Sequence, residues 1–180
     1  AMFGLLKRKN PYEQNARSIY FKALEHARSP EFYEEYGVPD SFDGRFDLVV
    51  LHLYMIITAI LENEPDEARA KAFNQTLFDV SFEEMKLNLR ELSIGDMGIP
   101  KHMKRMMLAF NGRVHAYDDA RSSGQWAAAL SKNLYGTLDQ VDDKHLEKMQ
   151  NYIEKSISAL NSQEFVKGII EDARLNFPKA

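Results

Sequence analysis

The chain has 180 residues, 44% of them apolar and 28% charged, with a formal net charge of −4. That is enough to enclose one sizeable core, and too acidic for a general nucleic-acid binder, which needs an excess of Lys and Arg on at least one face. It contains no cysteine, which excludes disulfides, thiolate zinc sites, iron–sulfur ligation and covalent c-type haem attachment.

The first ten residues read as a separate flexible or membrane-contacting segment, and residues 11–180 as a single helical domain. In that leading segment Phe3, Leu5 and Leu6 stand beside Lys7, Arg8 and Lys9. Such a string can press its apolar side into a lipid interface while each cation contributes about 1 kcal/mol near anionic headgroups. The competing reading is a frayed terminus. No apolar core with a cleavage site follows the N-terminus, so the expected location is cytoplasmic, peripheral at the inner face of the cytoplasmic membrane.

Ala16, Ile19, Tyr20, Ala23, Leu24 and Ala27 recur at helical spacing and predict one amphipathic helix. Next comes a loop dense in turn formers and charge, Tyr36 to Asp47, with Gly37, Pro39 and Gly44 among Asp40, Asp43, Arg45 and Asp47. Carboxylates favour a helix N-terminus, and Arg45 placed between Asp43 and Asp47 could bridge two of the acids. From Leu48 to Leu61 the chain is apolar almost all round. It is longer than an ordinary strand and short of the roughly 20 residues that cross a bilayer, so it predicts a central buried helix. His52 within it reads as a satisfied core histidine.

Pro65 is expected just inside the next helix. Phe78, Phe82, Met85, Leu89 and Leu92 repeat a 4-3-4-3 spacing, as do Met103, Met107, Phe110, Val114 and Tyr117, then Leu146, Met149, Ile153, Ile157 and Leu160. Gly124, Gly136 and Asp142-Asp143 supply stops and starts. No segment alternates with period two. The expected fold is all-α, a single compact domain of about seven or eight helices around the central apolar helix.

Between the first and second of these stripes, Gly95-Asp96-Met97-Gly98 leads into a helix start carrying Lys101, Lys104, Arg105 and Met106, and four of the eight methionines lie between Met97 and Met107. Methionine is flexible and polarizable and can repack against varied apolar partners, while Lys and Arg meet phosphates or acidic loops. Met97, Lys101, Lys104, Arg105 and Met106 are therefore the candidate partner-binding residues. The opposing reading is a core stripe with a solvated basic ridge.

The ordered set Ala27-Arg28-Ser29-Pro30-Glu31-Phe32-Tyr33, Gly37-Val38-Pro39-Asp40, Asp43-Gly44-Arg45-Phe46-Asp47, Leu51-His52, Leu77-Phe78-Asp79, Leu89-Arg90-Glu91, Gly95-Asp96-Met97-Gly98, Lys104-Arg105-Met106 and Phe110-Asn111-Gly112-Arg113 resembles the ubiquinol-cytochrome c chaperone family over roughly Tyr20 to Leu134. Asn111 stands where the family pattern suggests an aromatic, and Pro100 where a small residue is common. The resemblance implies a non-catalytic chaperone whose client is newly made cytochrome b, or another membrane protein, on the way to the ubiquinol-cytochrome c reductase. The family's mitochondrial members work near the ribosomal tunnel exit, which leaves ribosome contact open for this chain; no cofactor is expected, and the acidic composition argues against a specific nucleic-acid partner. Asp43, Arg45, Asp47, His52, Gly95 and Asp96 would brace the client groove.

Two other readings compete. One is a helical metal-dependent hydrolase using His115, Asp118 and Asp119, spaced i, i+3, i+4; the usual P-loop, G-x-S-x-G, G-x-G-x-x-G and H-E-x-x-H signatures are missing from the chain. The other is a lipid- or haem-binding carrier, which for haem needs two of His26, His52, His102, His115 and His145 to converge across a pocket.

Overall fold

Small polar side chains start several helices by accepting from backbone N–H groups one turn on, which satisfies donors that have no intrahelical partner. Ser41 accepts from Gly44 (3.1 Å), Asp66 from Arg69 (3.1 Å), Asp142 from Lys144 (2.9 Å) and Ser162 from Phe165 (3.0 Å). Gly124 stops one helix in the left-handed conformation at φ 75°, where glycine pays no Cβ penalty. The computed structural model describes residues 9–92, 95 and 97–180. These form eight helices: α1 (Glu13–Ala27), α2 (Glu31–Glu34), α3 (Phe42–Asn63), α4 (Glu67–Glu91), α5 (Ile99–Ser123), α6 (Trp126–Asn133), α7 (Asp143–Leu160) and α8 (Gln163–Asp172). No strand occurs among the described residues.

Helix α3 is the axis: α1, α4, α5, α7 and α8 all pack on it. Leu48, Val50, Leu51, Tyr54, Ile56 and Ile60 are fully buried, and full burial of each aliphatic side chain contributes roughly 1.5–3 kcal/mol. The reason expected for its being a core helix was its length, and that reason fails. With 22 residues and a mean hydropathy of 1.7 over its best 18-residue window, α3 is long and apolar enough to cross a bilayer. Its neighbours make it a core helix, since 72% of that window is buried by them. Pro65 is likewise displaced from its expected place, lying ahead of the cap Asp66 rather than inside the helix.

Two polar assemblies sit inside this apolar frame. His52 Nδ1 lies 2.7 Å from the Leu48 carbonyl; a carbonyl only accepts, so Nδ1 carries the proton. Burial pushes the His52 imidazolium down to about 3, so the ring is neutral and its Nε2 accepts from the Tyr152 hydroxyl at 2.8 Å. That hydroxyl then accepts in turn from His26 Nε2 at 2.9 Å. One chain of hydrogen bonds thus ties α1, α3 and α7, and Phe177, beyond α8, closes over it, stacked on His26 and edge-on to His52.

The second assembly is Asp47 with Arg113. Asp47 is 5% exposed. Arg113 Nε lies 2.9 Å from its Oδ1, yet the N–H is directed at the Asn133 carbonyl (3.2 Å), so that carboxylate oxygen has attraction without an aligned donor. Burial pushes Asp47 up to about 7, Arg113 pulling the other way and Asp43 adding to the rise. This pairing corrects the bridge expected of Arg45. Arg45 is exposed and instead meets Asp40, Nε at 2.8 Å, outside the core. Helix α3 is capped by Ser41 rather than by a carboxylate. Two glycines shape the loop before it: Gly37 at φ 68°, and Gly44, where a Cβ would overlap the Pro39 carbonyl oxygen.

Three outcomes are expected. Tyr152→Phe should lose about 1–3 kcal/mol in urea unfolding, because it strands the His52 acceptor in the core. Gly44→Ala should lose about 3 kcal/mol, because backbone rather than a movable side chain occupies the space. For Asp47, the unfolded chain releases the proton near 3.8 and the folded chain near 7. The folded state therefore binds more protons in between, and the stability the site supplies is complete below about pH 4. It falls as pH rises towards 7. Wild type should lose stability relative to Asp47→Asn across that window and hold level above it; a pH-independent difference in urea midpoints would contradict the assignment.

Candidate functional site

Helices α4 and α5 run antiparallel, with the Phe82 and Phe110 rings 5.8 Å apart. Towards the end of this hairpin, α1 and the first turns of α3 close a groove of about 330 Å³. The walls are Tyr20 and Leu24 on α1, Phe42, Phe46 and Val49 on α3, Met85 on α4 with Leu92 just past its end, and Met106 from α5. Met85 and Met106 are buried, whereas Phe42 is 44% and Leu92 56% exposed at the rim. Burial raises Tyr20 to about 12, so its hydroxyl stays neutral. Arg28 and Arg45 stand at the margin, and the Tyr33 hydroxyl donates to the Ala27 carbonyl at 3.1 Å. The arrangement can hold an apolar segment with polar groups at its edge; it holds no acid–base pair.

The candidate partner-binding residues divide. Met106 is 7% exposed and belongs to the groove wall, Met97 is 96% exposed, and Lys101, Lys104 and Arg105 lie on the outward side of α5. Arg105 donates to His102 Nδ1 at 2.7 Å. Among the bracing residues, only Arg45 touches the groove; Asp47 and His52 act one layer deeper, Asp43 and Gly95 are exposed, and Asp96 lies outside the described residues. Phe3, Leu5, Leu6, Lys7 and Arg8 also lie outside them, while Lys9 is exposed.

Sequence reasoning missed Phe42, Phe46, Met85 and Leu92 as a groove. Their spacing was visible, but a stripe that lines a groove has the same period as one that fills a core. The acid–histidine set is diverted: Asp118 accepts from the Tyr54 hydroxyl at 2.8 Å, and exposed His115 pairs with Asp119 at 3.5 Å. Among the described residues no group of three or more His, Cys, Asp or Glu is arranged to hold a metal. His26 and His52 do converge, but on one tyrosine hydroxyl and with ring centroids 5.4 Å apart, which leaves no room for a porphyrin between them.

A second apolar cavity, of about 410 Å³, lies between α3, α4 and α5, with Leu53, Ile57, Phe78 and Phe110 in its walls. Asn74 Oδ1 and Ser81 Oγ beside it are buried without a partner among the described residues.

Comparisons with known proteins give a consistent picture. The chain is 29% identical over 148 residues to mitochondrial protein CBP3 of Saccharomyces cerevisiae, covering 76% of this chain and 42% of that protein. It is 25% identical over 150 residues to the human ubiquinol-cytochrome c reductase complex assembly factor 1, covering 82% and 48% respectively. The chain therefore spans about half the length of these relatives. The crystal structure of the Cbp3 homolog from Brucella abortus superposes with a TM-score of 0.75 at 26% identity, covering 93% of this chain and 91% of that one. The model of the ubiquinol-cytochrome C chaperone family matches residues 34–169, which takes in α3 to α7 entire and with them most of the groove. This chain belongs to the ubiquinol-cytochrome c chaperone family.

Proposed function

We propose that this chain is a non-catalytic assembly chaperone that holds a segment of newly made cytochrome b in the groove between α1, α3, α4 and α5 while the ubiquinol-cytochrome c reductase is built. The observation that carries the reading is the groove itself: two methionines, Met85 and Met106, in the wall and two exposed aromatic or aliphatic rims, Phe42 and Leu92, in a chain of this family. Thioether walls adapt to irregular apolar surfaces. The volume suits a few side chains rather than a whole helix, so binding is modest and release stays easy. Lys101, Lys104 and Arg105, on the outward side of α5, steer a client whose connecting loops carry acid. Contact with the ribosome rests on family resemblance alone and is part of the same proposal, as is work at the inner face of the membrane.

The test is a photo-crosslinking amino acid at Phe42 or Phe46 in detergent-solubilised native membranes, with adducts read by mass spectrometry. Cytochrome b should be the main adduct, and Phe46→Glu should lower its recovery about tenfold with helicity unchanged, since a carboxylate cannot be buried against an apolar segment without large cost. Adducts from a probe at Ile57 and none from Phe42 or Phe46 would move the client to the second cavity. Absence of cytochrome b at both places would end the client assignment.

A further inference from the structure

The groove between α1, α3, α4 and α5 bears charge of one sign. Although the chain as a whole is acidic, with a net charge of −4, the charged residues that line the groove are Arg28 and Arg45, and no described Asp or Glu lines it. Arg28 comes from the string Ala27-Arg28-Ser29-Pro30-Glu31-Phe32-Tyr33, which the client assignment leaves without a part. The backbone of that string is anchored where α1 ends. The Arg28 N–H donates to the Leu24 carbonyl at 3.1 Å, Ser29 Oγ donates to the His26 carbonyl at 2.6 Å, and the Tyr33 hydroxyl donates to the Ala27 carbonyl at 3.1 Å. Phe32 is fully buried beneath the turn. The Arg28 side chain is left exposed at the groove margin.

Among the described residues Arg28 forms no ion pair. Arg45 reaches Asp40 through Nε at 2.8 Å and Nη2 at 2.7 Å. Both of those side chains are largely exposed, so the pair is weak, and it leaves Arg45 Nη1 to donate elsewhere. The two guanidiniums share one end of the groove, since the field of each reaches the Tyr33 hydroxyl. An occupant that covers the apolar floor also displaces water from this margin, which strengthens a charge-assisted hydrogen bond from guanidinium to carboxylate. A Lys or Arg on the occupant would meet like charge there, with no acid in the lining to offset it.

We infer that the groove selects an apolar peptide segment flanked by an acidic side chain, with Arg28 as the main partner of the carboxylate and Arg45 in support. The inference rests on the reading of the groove as the client site and adds which segments of a client it accepts, those bordered by Asp or Glu rather than by Lys or Arg. The apolar part of the segment lies against Phe46, Met85 and Met106. Its acid stays at the margin, where the exposed guanidiniums are hydrated before binding, so selection requires no buried, unpaired charge.

Isothermal titration calorimetry of the full chain tests this with short capped peptides of Leu, Phe, Gly and Ser that are identical except for a terminal Asp, Asn or Lys. The Asp peptide should bind about tenfold more tightly than the Asn peptide and the Lys peptide more weakly than either, with the preference shrinking as salt rises. Arg28→Gln should bring the Asp peptide to the affinity that the Asn peptide has for wild type. Arg45→Gln should weaken it several-fold, and Arg28→Glu should invert the order of the Asp and Lys peptides. Both positions are exposed, and an unchanged helical circular dichroism spectrum verifies that each variant folds. Phe46→Ser should weaken the Asn peptide, which reports on the apolar groove alone. If that loss is seen while all three peptides bind wild type equally, the selection is overturned and the groove reading stands. If no peptide binds, or Phe46→Ser weakens none of them, the groove reading falls and the selection with it. A preference for Asp that survives Arg28→Gln/Arg45→Gln would also overturn the inference.

Discussion

Everything in this fold depends on covering one helix that is apolar on nearly every side. A helix with a single apolar stripe needs one neighbour, but α3 must be enclosed, and α1, α4, α5, α7 and α8 are arranged around it accordingly. The same helix in isolation has the length and hydropathy of a membrane span. Whether such a segment lies in lipid or in protein is decided by whether its own chain brings enough apolar stripes to surround it, and here the chain does.

Enclosure makes polar groups inside expensive, and His52 and Asp47 on α3 are answered by partners from distant parts of the chain. Burial keeps His52 neutral and the Leu48 carbonyl fixes its tautomer, which obliges Tyr152 to donate to it and to accept from His26. Because each bond in that series fixes the direction of the next, α1 and α7 are positioned against α3 in a specific way that apolar packing alone does not impose. Asp47 is answered less completely. Its ion pair with Arg113 joins α3 to α5, and Arg113 reaches on to the Asn133 carbonyl at the end of α6.

The groove follows from the same construction. Where α3 begins, its side chains are no longer enclosed on every side. Phe42 and Phe46 face a gap that α1, α4 and Met106 only partly fill. A groove made at the edge of a rigid core can stay open without collapse, because the walls are held by packing one layer deeper. Its rim ends at Leu92, the residue at which α4 stops.

The helices were legible in the sequence because periodicity and capping are local. The stripes on α1 and α7, most of those on α4 and α5, and the stop at Gly124 fall where the spacing puts them, and the ordered motifs identified the family before any contact was known. Pairing was not legible. Arg45 and Arg113 look alike in sequence as partners for Asp47, and the nearer one is exposed and bound to Asp40. Met106 reads like its neighbours Lys104 and Arg105 as part of a working surface, yet one step along a helix turns it by about 100° into the groove wall. The sequence by itself determined which residues form helices and which side of each is apolar. Only the tertiary structure decided what each apolar side meets, core, groove or solvent, because that depends on how helices far apart in the chain are brought together.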